Sequence, residues 1–358
     1  MRVTATAFIT LLVTCHARSQ VPTRRRLVSV RGGAKTDAPA APPALKPSSV
    51  AINVAVATIP TLARFSMAAV SSRGTSLPIP ERWQVALAMF WAANMIAVGV
   101  PGRYDSQTVA AKEKEIKTTA LTANLFSPSG WAFIIWAPIF IGEAAMMLLL
   151  TNAQFFQSIL ASWTGAGAST GTVDLLTLGR AVAPGWCAGI AAQVAWCGAF
   201  RPSVCGPATL WIPALLLACT GLGLGVAHRC LRDLDGSLPG LSNALVRWPI
   251  VLHLGWITAA SLVNLNNWLA RRGTSVGIKA AVAKASVAVA LAAAVYVWRT
   301  TGDALFAFVV CWALSAVASD GNKNARGVVD KDVLESVQGT IGTGAAVAFI
   351  ALLIKIGQ

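Results

Sequence analysis

The sequence predicts an all-α, polytopic membrane bundle of about eight transmembrane helices. Only 12% of its 358 residues are charged and 55% are hydrophobic, about half the charged share of a soluble domain. Mean hydropathy is +0.63, and apolar runs approaching the roughly 20 residues needed to cross a bilayer recur down the chain. Thirteen tryptophans stand against two tyrosines. Some of these indoles belong to the interfacial belts of a membrane protein, and those in the middle of apolar runs need another role.

The net charge of +15 does not point to nucleic acid. The basic residues are scattered through the leader and loops, and no basic groove interleaved with aromatics occurs. The seven cysteines include no C-x-x-C pair and no Cys/His cluster with metal-ligand spacing, so packing is their expected role and no metal site is expected.

The first 80 residues read as a two-part leader. Residues 1–19 hold a short apolar core behind Arg2 and a small-x-small site at Ala17-Arg18-Ser19, the pattern of a signal peptide. Residues 20–80 contain one acid, Asp37, against eight basic residues, with Pro and Ala clustered at 38–47. That is the composition of a transit-like, largely disordered extension. Such a pair of segments resembles leaders that reach plastids, which places the protein in a thylakoid or envelope membrane. The alternative is a mitochondrial or secretory-pathway membrane.

Spans are expected at about 82–100, 130–151, 184–200, 207–228, 245–270, 280–298, 303–319 and 337–356, with a Gly/Ser/Thr-rich loop at 152–182. Lys and Arg are shared too evenly between the two sets of loops to set an orientation. Gly221 and Gly225 in the fourth span form a candidate small-xxx-small helix contact. No Walker, Rossmann or kinase-like glycine loop occurs, nor a repeat suggesting an inverted-repeat transporter.

The fifth span carries the most chemistry. Pro249, His253, Trp256, Ala260 and Asn264 follow one another by four, three, four and four residues, which stacks them on one helix face. Polar groups are costly in hydrocarbon and turn towards other helices or a cavity. In the second span Trp136, Phe140, Glu143 and Met147 share a face, with Pro128 expected in its first turn. Glu143 lies far enough inside to require a proton or a partner, His253 and Lys284 being the two candidates. In the third span Gln193, Trp196 and Phe200 repeat the spacing. Three faces of aromatic residues with a few polar groups suit either a cavity for a flat hydrophobic ligand or a plain aromatic core.

These residues resemble the TspO/MBR family, the tryptophan-rich sensory proteins that include the translocator protein. The resemblance rests on Pro128, Gly130, Trp131, Phe133 and Trp136 at the entry to the second helix. It continues with Gln193-Val-Ala-Trp196 and Phe200 in the third helix, and with Trp256, Ala260 and Asn264 in the fifth. Phe133 and Trp136 stand one residue closer together than in the short members, Gln193 replaces Asn, and His253 stands where the longer branch has Tyr. The match covers a five-helix unit at 82–270, and residues 271–358 are expected to be the additional C-terminal helices of the longer branch. The resemblance implies an intramembrane pocket for porphyrin, haem or another hydrophobic ligand, with a regulatory, stress-related or transport role. It also adds Trp131 to the ligand-binding set of Trp136, Phe140, Glu143, Gln193, Trp196, Phe200, His253, Trp256, Ala260 and Asn264.

The functional expectation is thus a non-enzymatic membrane protein that binds a tetrapyrrole or lipid. Two alternatives stand beside it. One is a proton-coupled secondary transporter in which Glu143 titrates. The other is a pigment-binding or scaffold subunit of a photosynthetic complex, with His253 or Glu143 as an axial ligand to chlorophyll. The expected partners are membrane lipid, a hydrophobic small molecule, and a second copy or a membrane complex. No catalytic constellation is visible.

Overall fold

The computed structural model describes residues 81–105, 118–156, 175–234 and 240–357. The leader segments 1–19 and 20–80 and most of the two loops around 106–117 and 157–174 lie outside the described residues. Among the described residues eight α-helices follow in order: α1 Arg82–Gly99, α2 Trp136–Thr151, α3 Leu175–Ala199, α4 Trp211–Asp233, α5 Gly240–Arg271, α6 Val276–Thr301, α7 Ala304–Asp320 and α8 Lys331–Gly357. A 3₁₀ turn, Gly130–Ile135, leads into α2. No strand occurs among the described residues, and the protein is an all-α polytopic membrane bundle.

Six of these segments are individually long and apolar enough to cross a bilayer. The eight-span expectation needs qualifying at the other two. Helix α7 has only 17 residues, and α1 turns Gln84 and Asn94 to the interior. Helix α1 packs against α2 and α3, and α7 packs against α5, α6 and α8, so both belong to the bundle. Four helices, α3, α5, α6 and α8, also begin earlier than their sequence suggests, two of them running through a proline. Helix α3 starts at Leu175 and continues through Pro184, and α5 starts at Gly240 and continues through Pro249. Proline removes a helical hydrogen bond, and membrane bundles tolerate this where neighbouring helices enclose the gap. Pro128 precedes the 3₁₀ turn instead of occupying its first position.

Close approach of α3 to α4 is made by Gly185, Gly189 and Gly223. A Cβ on Gly223 would lie 2.4 Å from the Gly189 nitrogen and 2.8 Å from the Gly185 carbonyl. The expected contact at Gly221 and Gly225 is not the one formed. Gly225 has nothing within 4 Å of a built Cβ, and Gly221 has only Ile257 at 3.7 Å. The helix rotates its middle glycine inward, which spacing alone does not determine.

Two buried ion sites fasten the helix ends. At one end Gly302, in the left-handed conformation (φ +67°), closes α6, and Asp303 caps α7 by accepting from the Leu305 N–H at 3.1 Å. The same carboxylate accepts from Arg247 Nε at 3.0 Å and faces His228 Nε2 at 3.1 Å. Burial works against the ionised form of Asp303. The His228 hydrogen bond and the Arg247 charge outweigh it and hold the carboxyl below its ordinary value. At the other end Lys279, buried in the first turns of α6, donates to the carbonyls of Ala120, Leu121 and Ala123 at 2.7, 2.9 and 2.8 Å. These three bonds tie the loop before α2 to the bundle. Lys279→Met would strand three carbonyls. Charge-assisted bonds contribute about 1.5–3 kcal/mol each and are not additive, so a loss of a few kcal/mol in unfolding free energy is expected. Thermal unfolding in detergent measures it.

Candidate functional site

The 3₁₀ turn positions the first indoles. Three residues per turn bring Gly130, Phe133 and Trp136 to one edge and send Trp131 elsewhere. This is the physical meaning of the shortened Phe133–Trp136 spacing. The turn is clipped to α7 at several points: Ser129 N–H donates to the Ala316 carbonyl at 2.9 Å, and Trp312 Nε1 donates to the Ala132 carbonyl at 3.1 Å. Trp131 Nε1 donates to Ser319 Oγ at 3.1 Å. Trp131 packs edge-on against Trp312 at 4.7 Å and is 39% exposed. It belongs to this clip and not to the interior.

Inside, three tryptophans from different helices surround a hollow of about 200 Å³. Trp136 of α2 and Trp256 of α5 meet edge to face at 6.2 Å. Phe133 abuts Trp256 at 5.6 Å. Trp196 of α3 stacks on Phe200 at 5.2 Å, and its Nε1 donates to Asn264 Oδ1 at 3.4 Å. Trp136, Trp196, Phe200, Trp256, Ala260 and Asn264 all line the hollow. Phe140 lies behind its wall, stacked on Trp136 at 5.0 Å. Asn264 is held by its own helix, donating Nδ2 to the Ala260 carbonyl at 3.0 Å.

Several lining residues were not anticipated. Helix α7 supplies Val310, Ala313, Leu314 and Val317, so the C-terminal helices complete the cavity instead of being appended to a finished five-helix unit. At one end the wall becomes polar, with Tyr104, Asp105, Asn124 and Arg271. Arg271 rests over the Tyr104 ring at 4.4 Å and donates Nε to Asn267 Oδ1 at 3.0 Å.

The remaining three expected residues form a separate constellation behind Trp136. Glu143 of α2, Gln193 of α3 and His253 of α5 are each 0% exposed. His253 Nδ1 lies 2.7 Å from Glu143 Oε1, and His253 Nε2 lies 2.6 Å from Gln193 Oε1. The imidazole also meets Trp136 edge-on at 5.5 Å. Of the two candidate partners for Glu143, His253 is the one used. Lys284 donates to Ser336 Oγ at 2.8 Å instead. No group of three or more His, Cys, Asp or Glu side chains suited to a metal ion occurs among the described residues.

A helical membrane bundle whose tryptophans line a shared hollow, with a buried polar row alongside it, defines the class of protein. Residues 85–354 match the family model of TSPO-like proteins, and the chain belongs to that family. No curated protein and no solved structure matches it.

Proposed function

We infer that this membrane protein binds a hydrophobic molecule with a flat or narrow apolar body, a tetrapyrrole or a lipid, in the hollow between α2, α3, α5 and α7. One observation carries the reading: Trp136, Trp196 and Trp256, from three helices, converge around a shared space lined mainly by apolar groups, with a polar end. Indole faces stack on planar or acyl surfaces and exclude water from them. The roughly 200 Å³ available is below the usual range of about 300–1,000 Å³ for drug-sized ligands. A lipid chain therefore suits the hollow as it stands, whereas a tetrapyrrole enters by one edge or spreads the helices. A plastid membrane is the setting that the basic, acid-poor leader supports, and the family supports a regulatory or transport role there.

Chlorophyll ligation through His253 is the less favoured alternative. Both ring nitrogens already face side-chain oxygens, and axial ligation of a magnesium needs one of them. Titration of the purified protein with protoporphyrin IX tests the main reading through tryptophan quenching. Saturable quenching is expected, weakened about tenfold by Trp256→Ala, since an aromatic contact contributes about 0.5–1.5 kcal/mol beyond its buried area. Binding no tighter than to protein-free micelles, together with no effect of Trp256→Ala, would sink the reading.

A further inference from the structure

We propose that Glu143, His253 and Gln193 form a proton-binding site in the middle of the bundle, holding one exchangeable proton between the carboxyl and the imidazole. None of the three residues lines the neighbouring hollow. The argument is an inventory of hydrogens. His253 faces an oxygen at each ring nitrogen, Glu143 Oε1 at 2.7 Å and Gln193 Oε1 at 2.6 Å. A neutral imidazole has a single N–H and can donate to only one of them.

Two arrangements satisfy both contacts. In one, a doubly protonated ring donates to the carboxylate and to the amide oxygen. In the other, the Glu143 carboxylic acid donates to Nδ1 while Nε2–H donates to Gln193. They interconvert when one proton crosses the short Nδ1···Oε1 line, an N–H bond breaking as an O–H bond forms. Both leave the pair without net charge. Removing that proton leaves a net negative charge on fully buried groups, which a hydrocarbon interior strongly disfavours.

Rotating the Gln193 amide by 180° is the competing arrangement. Its NH₂ would then donate to a neutral ring, and Glu143 would remain an uncompensated carboxylate. The orphaned atoms favour the protonated row. Glu143 Oε2 has no hydrogen-bond partner among the described residues, and a lone carboxylate has the greater need of donors at both oxygens. Rotation of the amide relieves the unpartnered Gln193 Nε2 only by orphaning its oxygen.

Several other ionisable groups on the helices around α5 are engaged elsewhere. His228 is paired with Asp303, Lys279 with three carbonyls and Lys284 with Ser336. On α5 itself, Arg247 is bound to Asp303 and Arg271 to Asn267. Helix α3 brings the thiols Cys187 and Cys197, and α7 brings Cys311 and Asp320, the last bonded to Lys323 at 2.8 Å. Because Trp136 touches the imidazole and also walls the hollow, the proton sits one side chain away from any bound ligand.

The test needs no ligand. The full chain, labelled with ¹⁵N-histidine and ¹³C-glutamate, is examined in nanodiscs at about pH 7, where a free imidazole is mostly neutral. His253 is assigned by subtracting His16→Asn and His228→Asn spectra. The expected result is the shared proton, seen in either of two forms. One is hydrogen on both ring nitrogens. The other is a single ring N–H with a carboxylic-acid C=O infrared band that Glu143→Gln removes. A ring with one N–H together with an ionised Glu143 would overturn the proposal, whichever nitrogen carries the hydrogen.

Discussion

His253→Leu is expected to lower the unfolding free energy by about 3–5 kcal/mol, the cost of removing one partner from a buried charged pair. The leucine deletes both short contacts, to Glu143 and to Gln193, at a position with no access to solvent. Glu143 Oε2 already has no partner among the described residues, so the substitution leaves the whole carboxyl unsupported. Hydrogen bonds between helices in membranes average only about 0.6 kcal/mol, so the magnitude separates a charged or proton-sharing row from an ordinary polar contact. The double variant Glu143→Leu/His253→Leu is expected to recover much of the loss, because an apolar pair of similar volume replaces a buried ion pair at little cost. Unfolding measured in detergent for both single variants and the double variant closes the cycle. A single variant as stable as the parent chain would mean that the row holds nothing in place.

How far the site was legible follows from what helical periodicity can carry. Spacing alone put His253, Trp256, Ala260 and Asn264 on one face, and all four do look inward. Periodicity does not fix how a helix is rotated against its neighbours. Glu143 therefore had two candidate partners in the sequence and has one in the structure. The same limit explains why one aromatic stripe divides in two. Trp136 reaches the hollow, while Phe140 and Glu143, one and two turns further along α2, lie behind it.

The contribution of α7 was illegible for a different reason. In a helix of sequence ALFAFVVCWALSAVASD nearly every face is apolar, so the stripe that walls the cavity carries no polar contrast against which to be seen. The polar rim at Tyr104, Asp105 and Asn124 was missed because loops have no period, and Arg271 because it stands at the very end of α5. The Trp131 placement came from family resemblance, and the 3₁₀ turn redirects that side chain to Trp312 and Ser319. A local change from 3.6 to 3.0 residues per turn has no sequence signature beyond the altered Phe133–Trp136 spacing.

The α3–α4 contact yields the second large effect. Gly223→Ala adds one methyl group and is expected to destabilise by about 1–3 kcal/mol or more, the usual cost of overpacking a tight interior. Its Cβ would meet the Gly189 nitrogen at 2.4 Å, the Gly189 Cα at 2.6 Å and the Gly185 carbonyl at 2.8 Å. All three are backbone atoms, so no side-chain rotation relieves the clash and the helices must part. Parting them would shift α3, which carries both Gln193 and Trp196, so the variant should also weaken quenching by protoporphyrin. Gly225→Ala is the internal control. It sits two residues along the same helix with nothing within 4 Å of its Cβ, and alanine there should be neutral or stabilising by about 0.5–1 kcal/mol through helix propensity. The two substitutions are chemically identical and differ only in which face of α4 they occupy. Equal melting temperatures for the two variants would contradict the rotation of α4 described above, whereas a large gap between them would confirm it.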